Sequence, residues 1–471
     1  MIRHASSGAI AAALLLSGCA NTELDRQSRD LDAYARQHWN APASLAVNAD
    51  DRQRAASQVR QLLAQPLSGD DAVRVALAGS PAFQAMLADG VAASAAASQS
   101  ARPANPVFTF ERLVRREDGA VDLDIGRMLS VSLLDLLFLP ARIDAAAGLQ
   151  QQARLRNAAS LTDTATNARR AWVQAVAAEQ SLRYFTQVME AAEASAELAR
   201  RMYQAGNFSK LQRARQQAFY ADAVTQLARA QQASVANREA LIRALGLDAD
   251  MAALLKLPER LPDLPAAPQP EALLAQTAID QRLDVQMARA EVHAIGARQG
   301  FDRATSFING LHLSAMRNSE TGKPPQRGYE LELPLPVFDF GDAARAGAGA
   351  RYLAAMQRAA QTGIDAASQV REQYAGYRTA WDIAHHYRVE IVPLRKAIAD
   401  ETLLKYNGML IGVFDLLSES RAQIGSVIQA IEAERDFWLA DAALKATLLG
   451  RPVAGAMINA KADAAPAAGG H

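Results

Sequence analysis

The chain has 471 residues, with 50 Lys+Arg against 50 Asp+Glu, one cysteine and 18 prolines. A single cysteine excludes a disulfide framework or a thiolate metal cluster supplied by one chain, and the balanced charge leaves no global basic field for nucleic acid. Half of the residues are hydrophobic but only 6% are aromatic, a mixture carried by alanine that suits long helices with small contact residues better than a large aromatic core.

Residues 1–18 read as a secretory signal peptide. A basic start at Arg3 and His4 precedes the apolar run from Ala9 to Leu16 and the small residues Ser17 and Gly18, a segment too short to persist as a spanning helix. Leu16-Ser17-Gly18-Cys19 resembles the bacterial lipobox, which implies cleavage before Cys19 and acylation of that residue as a lipid anchor. Acyl chains contribute roughly 0.8 kcal/mol per buried methylene, enough to hold a mature chain on a bilayer surface. Ala20 follows where Asp would be the alternative, which resembles the outer-membrane default of such lipoproteins. Beyond residue 19 no run of 18 apolar residues occurs, so no transmembrane helix is expected. Residues 19–66, polar and mixed, are expected to form a lipidated arm lying along the body.

The remainder reads as one pattern used twice, at 67–257 and 271–450. Leu67 to about Ser100, and Glu271 to about Thr305, carry alanines and leucines at helical spacing. Period-two alternation follows each time. It runs over Val107–Arg112 and Val121–Leu133 in the first copy, and over Leu311–Ala315 and Tyr329–Leu333 in the second, each pair separated by turn-forming residues. Pro140 in one copy and Pro334, Pro336 and Gly341 in the other mark the handover to a long helix, with Asp342 as a candidate cap. These helices, Ala141–Ala205 and Ala343–Asn407, would each be roughly 95 to 100 Å long at 1.5 Å per residue. Pro393 should kink or interrupt the second. Each ends in a tight reversal, with Gly206 or Gly408 expected as the left-handed residue, and a helix of some 35 to 40 residues returns. The offset of about 200 residues indicates an internal duplication. Residues 258–270 are an extended Pro-rich linker between halves that lack apolar centres of their own, and 451–471 is a low-complexity, disordered tail.

The fold class is mainly α with a small β part. Four amphipathic strands suit a tilted membrane crossing, yet lipid tolerates no open sheet edge and four strands cannot close a barrel. Copies must therefore pool strands. Two give eight, filled by side chains, whereas three give twelve and room for an aqueous lumen, so a homotrimer is favoured. The helices would then form a long α-helical barrel continuing the shared transmembrane β-barrel.

The whole mature chain resembles the TolC-type outer-membrane efflux proteins. The resemblance rests on the turns Tyr203-x-x-Gly206-x-x-Ser209 and Tyr406-x-Gly408 followed by Phe414-Asp415-Leu416-Leu417, on the junction Leu333–Gly341 and on the lipobox. The first junction differs in having Pro140 where the second has Gly341, and the second turn is one residue shorter between Tyr and Gly. The resemblance implies a passive exit duct, not an enzyme, that works with a periplasmic adaptor and an inner-membrane transporter and sits in outer-membrane lipid. It also implies that Asp415, with Glu419 one turn on, belongs to a ring of carboxylates narrowing the periplasmic mouth, where like charges repel and attract cations. The competing reading of Asp415 is an ordinary cap on the returning helix. Tyr203, Gly206, Ser209, Tyr406 and Gly408 would form the adaptor-facing tip.

Other polar groups carry less. His385, His386 and Glu390 supply too few ligands for a metal, Met316 and Met409 read as apolar filling, and Asp339 and Asp342 suit strand termination and capping. No phosphate loop or nucleophile elbow occurs, so no cofactor, metal or nucleic-acid partner is expected. The competing reading is a lipid-anchored coiled-coil tether without channel activity, for which amphipathic strands would have no use.

Overall fold

A computed structural model describes residues 19–117, 120–270, 278–305, 310–335 and 337–453. The expected signal peptide, the Asp118-Gly119 turn, residues 271–277, Pro336 and most of the tail lie outside the described residues. In chain order the elements are α1 (Cys19–Trp39), α2 (Ala49–Leu63), α3 (Gly69–Gly79), α4 (Pro81–Ser100), β1 (Val107–Glu117), β2 (Ala120–Ser132), α5 (Leu133–Leu137) and α6 (Leu139–Gln204). There follow α7 (Lys210–Leu245), α8 (Ala249–Leu254), α9 (Ala278–Gln281), α10 (Leu283–Thr305), β3 (His312–Glu320) and β4 (Gln326–Glu332). The chain then continues through α11 (Asp342–His386), a π turn (Tyr387–Ile391), α12 (Val392–Asn407) and α13 (Val413–Leu448).

The duplication is visible in these bounds. The returning helices α7 and α13 have 36 residues each, and their first and last residues, Lys210 with Val413 and Leu245 with Leu448, are both offset by 203. The expected interruption at Pro393 takes the form of the π turn, which closes before Val392 and leaves Pro393 in the first turn of α12, where no N–H is needed. The segment from Leu67 to Ser100 is two helices, not one. Pro81 forces Ser80 into an extended conformation, and Gly246 (φ +69°), ending α7, lies so close that a Cβ there would be 2.7 Å from the Ser80 Cα. Among the described residues no helix is long and apolar enough to cross a membrane.

The chain divides into two compact units. The first, Met1–Gln27, Ala88–Asn157 and Leu283–Asp365, contains the antiparallel sheet in the order β1-β2-β3-β4. The two hairpins meet where β2 pairs with β3, with Leu129 opposite Ala315 and Arg127 opposite Arg317. Among the described residues β1 and β4 have no further partner strand. Ser132 caps α5 by accepting the Asp135 N–H at 3.3 Å. Small residues let the helices approach: a Cβ on Gly90 would be 2.1 Å from the Asn157 Oδ1, and one on Gly148 would touch Ala294. At the second junction Gly341 (φ +70°) donates its N–H to Asp339 Oδ1 at 2.8 Å, while its carbonyl accepts from Arg345. Gly341 therefore occupies the cap position, and Asp342, expected there, is the first helical residue, placed to complement the helix dipole.

The second unit, Ser28–Leu87, Ala158–Arg282 and Ala366–His471, holds the apolar clusters. One gathers Leu63, Leu67, Val75, Trp172, Leu241 and Leu261 of the first half, and another gathers Tyr377, Trp381, Ala433, Phe437 and Leu444 of the second. The expectation that neither half has its own apolar centre is therefore corrected. Few aromatic residues suffice because they are concentrated at these points. The arm is also more than a covering strand: Leu31, Ala35 and Trp39 of α1 are buried against Leu77, Phe83 and Leu161.

The Pro-rich linker is held by side chains from the second half. Trp381 Nε1 donates to the Pro265 carbonyl and Trp438 Nε1 to the Pro262 carbonyl, both at 3.1 Å, and Tyr374 Oη donates to the Gln269 carbonyl at 2.9 Å. An extended strap has no internal partners for its carbonyls, so indole and phenol donors replace them. Each of Trp381→Phe and Trp438→Phe should lower unfolding stability by about 0.5 to 1.5 kcal/mol, the net worth of one hydrogen bond. The double variant should be cleaved faster within 258–270 in limited proteolysis, with Phe338→Leu, at an exposed position, as an unaffected control.

Candidate functional site

Two parts of the chain carry the candidate functional residues: the sheet in the first unit and the helix reversals in the second. In the sheet, successive side chains point to opposite faces, and the unbroken register fixes which residues share one. Glu111, Asp122, Asp124, Glu320, Glu330 and Glu332 fall on the same face as Ser130 and Ser314, whose hydroxyls are 3.1 Å apart. The opposite face bears the cross-strand row Phe108, Leu129, Ala315 and Tyr329, next to Val131, Leu313 and Leu331. Phe108 is 64% exposed and Tyr329 83% exposed, and the apolar surface continues past β4 through Leu335 (73%) and Phe338 (98%). One face thus gathers the carboxylates, and the other gathers the exposed apolar side chains together with several arginines.

The reversals are matched Schellman turns. In the first, Asn207 N–H bonds the Met202 carbonyl at 2.9 Å and Gly206 N–H the Tyr203 carbonyl at 3.1 Å, with Gly206 left-handed at φ +81°. In the second, Leu410 N–H bonds the Lys405 carbonyl and Met409 N–H the Tyr406 carbonyl, both at 2.9 Å. The left-handed residue there is Met409 (φ +57°), not Gly408, whose φ is −79° and whose N–H still bonds the Leu404 carbonyl. The expectation for Gly408 is corrected, and the apparent shortening of the second turn disappears. Tyr203 and Tyr406 occupy the same place in the turn, as do Gly206 and Met409. Tyr203 is half-exposed beneath the Arg213 guanidinium, 4.5 Å from the ring centre.

Ser209 begins α7 with a capping box, accepting the Gln212 N–H while Gln212 Oε1 accepts the Ser209 N–H. Asp415 stands at the corresponding place in the second copy, its carboxylate accepting the Gly412 N–H at 3.3 Å. Glu419 lies 3.4 Å from Arg395 of α12. Each carboxylate singled out for a gate thus has a partner within its own chain. Cys19 opens α1, and the rest of the lipobox lies outside the described residues.

A polar tie that the sequence did not single out joins three helices. Buried Gln216 of α7 accepts from Arg421 Nη2 of α13 at 3.0 Å and lies 3.2 Å from the Ser195 hydroxyl of α6. The Arg421 guanidinium covers the Phe219 ring at 4.2 Å, and burial lowers its pKa while Asp222 opposes the shift. Aligning the copies would have offered a signal, since Gln216 and Glu419 are equivalent under the 203-residue offset. Nearer the first reversal, hydrogen bonds from Arg200 and then Arg201 hold the Glu197 pKa down at about 2. That ion-pair contribution is complete above the ordinary carboxylate range and is lost as pH falls toward about 2. His386 Nδ1 is 3.2 Å from Glu390, and among the described residues no group of three or more His, Cys, Asp or Glu is placed to hold a metal.

Solved structures of outer-membrane channels share this architecture. The outer-membrane channel OprN is 18% identical, matched over 87% of this chain and 94% of that one with a TM-score of 0.68. The outer membrane protein VceC of Vibrio cholerae is 16% identical over 86% of this chain and 99% of its own, also with a TM-score of 0.68. The CmeC outer membrane channel of Campylobacter jejuni is 15% identical over 85% and 87%, with a TM-score of 0.65. Neither a family model nor a curated protein sequence matches the chain. At these identities the likeness is one of fold, and the fold is that of the TolC-type outer-membrane channels.

The two turns should respond oppositely to substitution. Relief of a left-handed side chain is worth about 1 kcal/mol, so Met409→Gly should stabilise the chain and Gly206→Ala should destabilise it by a similar amount. Urea unfolding of the two variants measures both.

Proposed function

We propose that this protein belongs to the TolC-type family and is the exit duct of a tripartite efflux pump: a homotrimer in the outer membrane, anchored through acylated Cys19, that conducts passively what an inner-membrane transporter and a periplasmic adaptor deliver. The observation that carries the proposal is the sheet. It is one polar-faced and one apolar-faced ribbon with two unpaired edges, a shape that serves no purpose in a monomer in water and closes naturally when copies share it.

The chemistry in such a duct is electrostatic. The carboxylate-bearing face of the strands would line the lumen and raise the local concentration of cations. At the tips, Asp415 and Glu419 would approach their symmetry mates around the axis. Their intrachain partners Gly412 and Arg395 would hold them in a closed arrangement, and the Arg421–Gln216 tie would hold α13 against α6 and α7. Opening would require these ties to be exchanged for water or for the adaptor, which would dock on Tyr203, Gly206, Ser209, Tyr406 and Gly408. Cargo would be selected by the transporter, with the duct contacting it only weakly.

Purified full-length protein should run as a heat-modifiable trimer and give conductance steps in planar bilayers. A monomer that gives none would favour the tether. Asp415→Ala and Arg421→Ala should each raise single-channel conductance, and Asp415→Ala should also reduce cation preference. Conductance unchanged by both would remove the gate assignment while leaving the duct intact.

A further inference from the structure

The apolar face of the sheet also carries arginine, in a pattern the duct does not use. Arg127, Arg317 and Arg327 stand directly opposite one another on β2, β3 and β4. On β1 the residue in that row is Phe110, and Arg112 lies diagonally from Arg127 and joins the three as a fourth, with Arg116 further along the same face. All four are exposed. The strand carboxylates are on the other face, and among the described residues none of the four arginines has an acidic partner. Arginines on the helical surfaces behave differently: Arg378 pairs with Asp382, and Arg200 with Glu197.

Three like charges side by side on neighbouring strands repel one another. A cation on the lipid face of a barrel costs about 2 to 4 kcal/mol at the midplane and about 0 to 1 near the interface. On β3 and β4 the row lies toward the turn, where this cost is smaller, whereas on β2 Arg127 is mid-strand, with Ile125, Leu123 and Val121 further out on the same face. Leu129, Ala315 and Tyr329 adjoin it toward the helices, and the β3–β4 turn begins just beyond it, with Arg327 second in β4. Arginine, not lysine, is used on every strand, and its planar fork suits phosphate bidentately.

We propose that Arg127, Arg317 and Arg327, extended by Arg112, form a binding track for the phosphate groups of glycolipid headgroups in the leaflet on the turn side of the sheet. This rests on the reading of the sheet as a membrane-spanning wall. The phosphates neutralise the row, and the acyl chains lie against the adjoining Leu129, Ala315 and Tyr329. In a closed barrel the track passes from strand to strand around the outer wall.

The test is titration of the delipidated full-length trimer in nonionic detergent with diphosphoryl lipid A, with chemically dephosphorylated lipid A, with phosphatidylcholine and with inorganic phosphate, followed by native mass spectrometry and thermal unfolding. Diphosphoryl lipid A should be retained and raise the Tm, and the other three should not. Each of Arg127→Gln, Arg317→Gln and Arg327→Gln should weaken retention about tenfold, from the loss of a charge-assisted hydrogen bond. Arg115→Gln, on the opposite face, should leave it unchanged. Equal retention of the dephosphorylated lipid, equal stabilisation by inorganic phosphate, or an equal effect of Arg115→Gln would each overturn the proposal, and the lipid series does so on the native chain if the variants fail to fold. Conductance in phosphatidylcholine bilayers separates the two levels. A native protein that conducts but shows no phosphate dependence defeats the track alone, and one that does not insert at all defeats the wall on which it rests.

Discussion

A strand edge in hydrocarbon leaves N–H and C=O groups without partners, at several kcal/mol each, and no arrangement of side chains repairs this. On the proposed reading of the sheet as a membrane wall, the organisation of this chain follows from that constraint. Its sheet ends in β1 on one side and β4 on the other. Four is an even number, so β4 of one copy would meet β1 of the next antiparallel, and a ring continues the alternation already present within the chain. The internal duplication supplies that even number: each copy contributes a hairpin, and β2 with β3 forms inside the chain the same kind of seam that β4 with β1 would form between chains.

Much of this was legible because strands and long helices differ in period. The alternation around Val107–Leu133 and Leu311–Leu333 located the strands to within a few residues, and the sparse prolines located the helices. What escaped had local causes. Pro81 splits a segment whose alanine spacing is otherwise continuous, and composition could not reveal that Trp172 would anchor one cluster and Trp381 with Phe437 another. Gly408 was the natural choice for a left-handed residue, yet the hydrogen-bond pattern gives that place to Met409. Turn position is set by which carbonyl the last amides reach, and a glycine one residue early simply remains helical.

The charges were countable in the sequence but not assignable. A net charge of zero conceals a separation by face within the sheet, with carboxylates such as Glu111, Asp124 and Glu330 on one side and Arg127, Arg317 and Arg327 on the other. Register makes this separation, because a slip of one residue would exchange the faces and move the carboxylates among the exposed apolar side chains. The hydrophobic pattern and the charge pattern therefore select the same pairing.

At the helix reversals the binding forces are of another kind. Apolar clusters there are small, as in Val188, Ala192 and Ala223, and polar ties join the helices beside them. The Arg421 guanidinium donates to Gln216 and covers Phe219, but its buried Nε has no hydrogen-bond partner. A buried donor left unsatisfied costs about 1 to 3 kcal/mol, so the assembled tie is held with little surplus. Exposure to water would satisfy that donor while forfeiting the bond to Gln216, so the two effects oppose one another. On the proposed reading of the reversals as a docking tip, such a tie would yield more readily than a fully satisfied polar network or a large apolar interface.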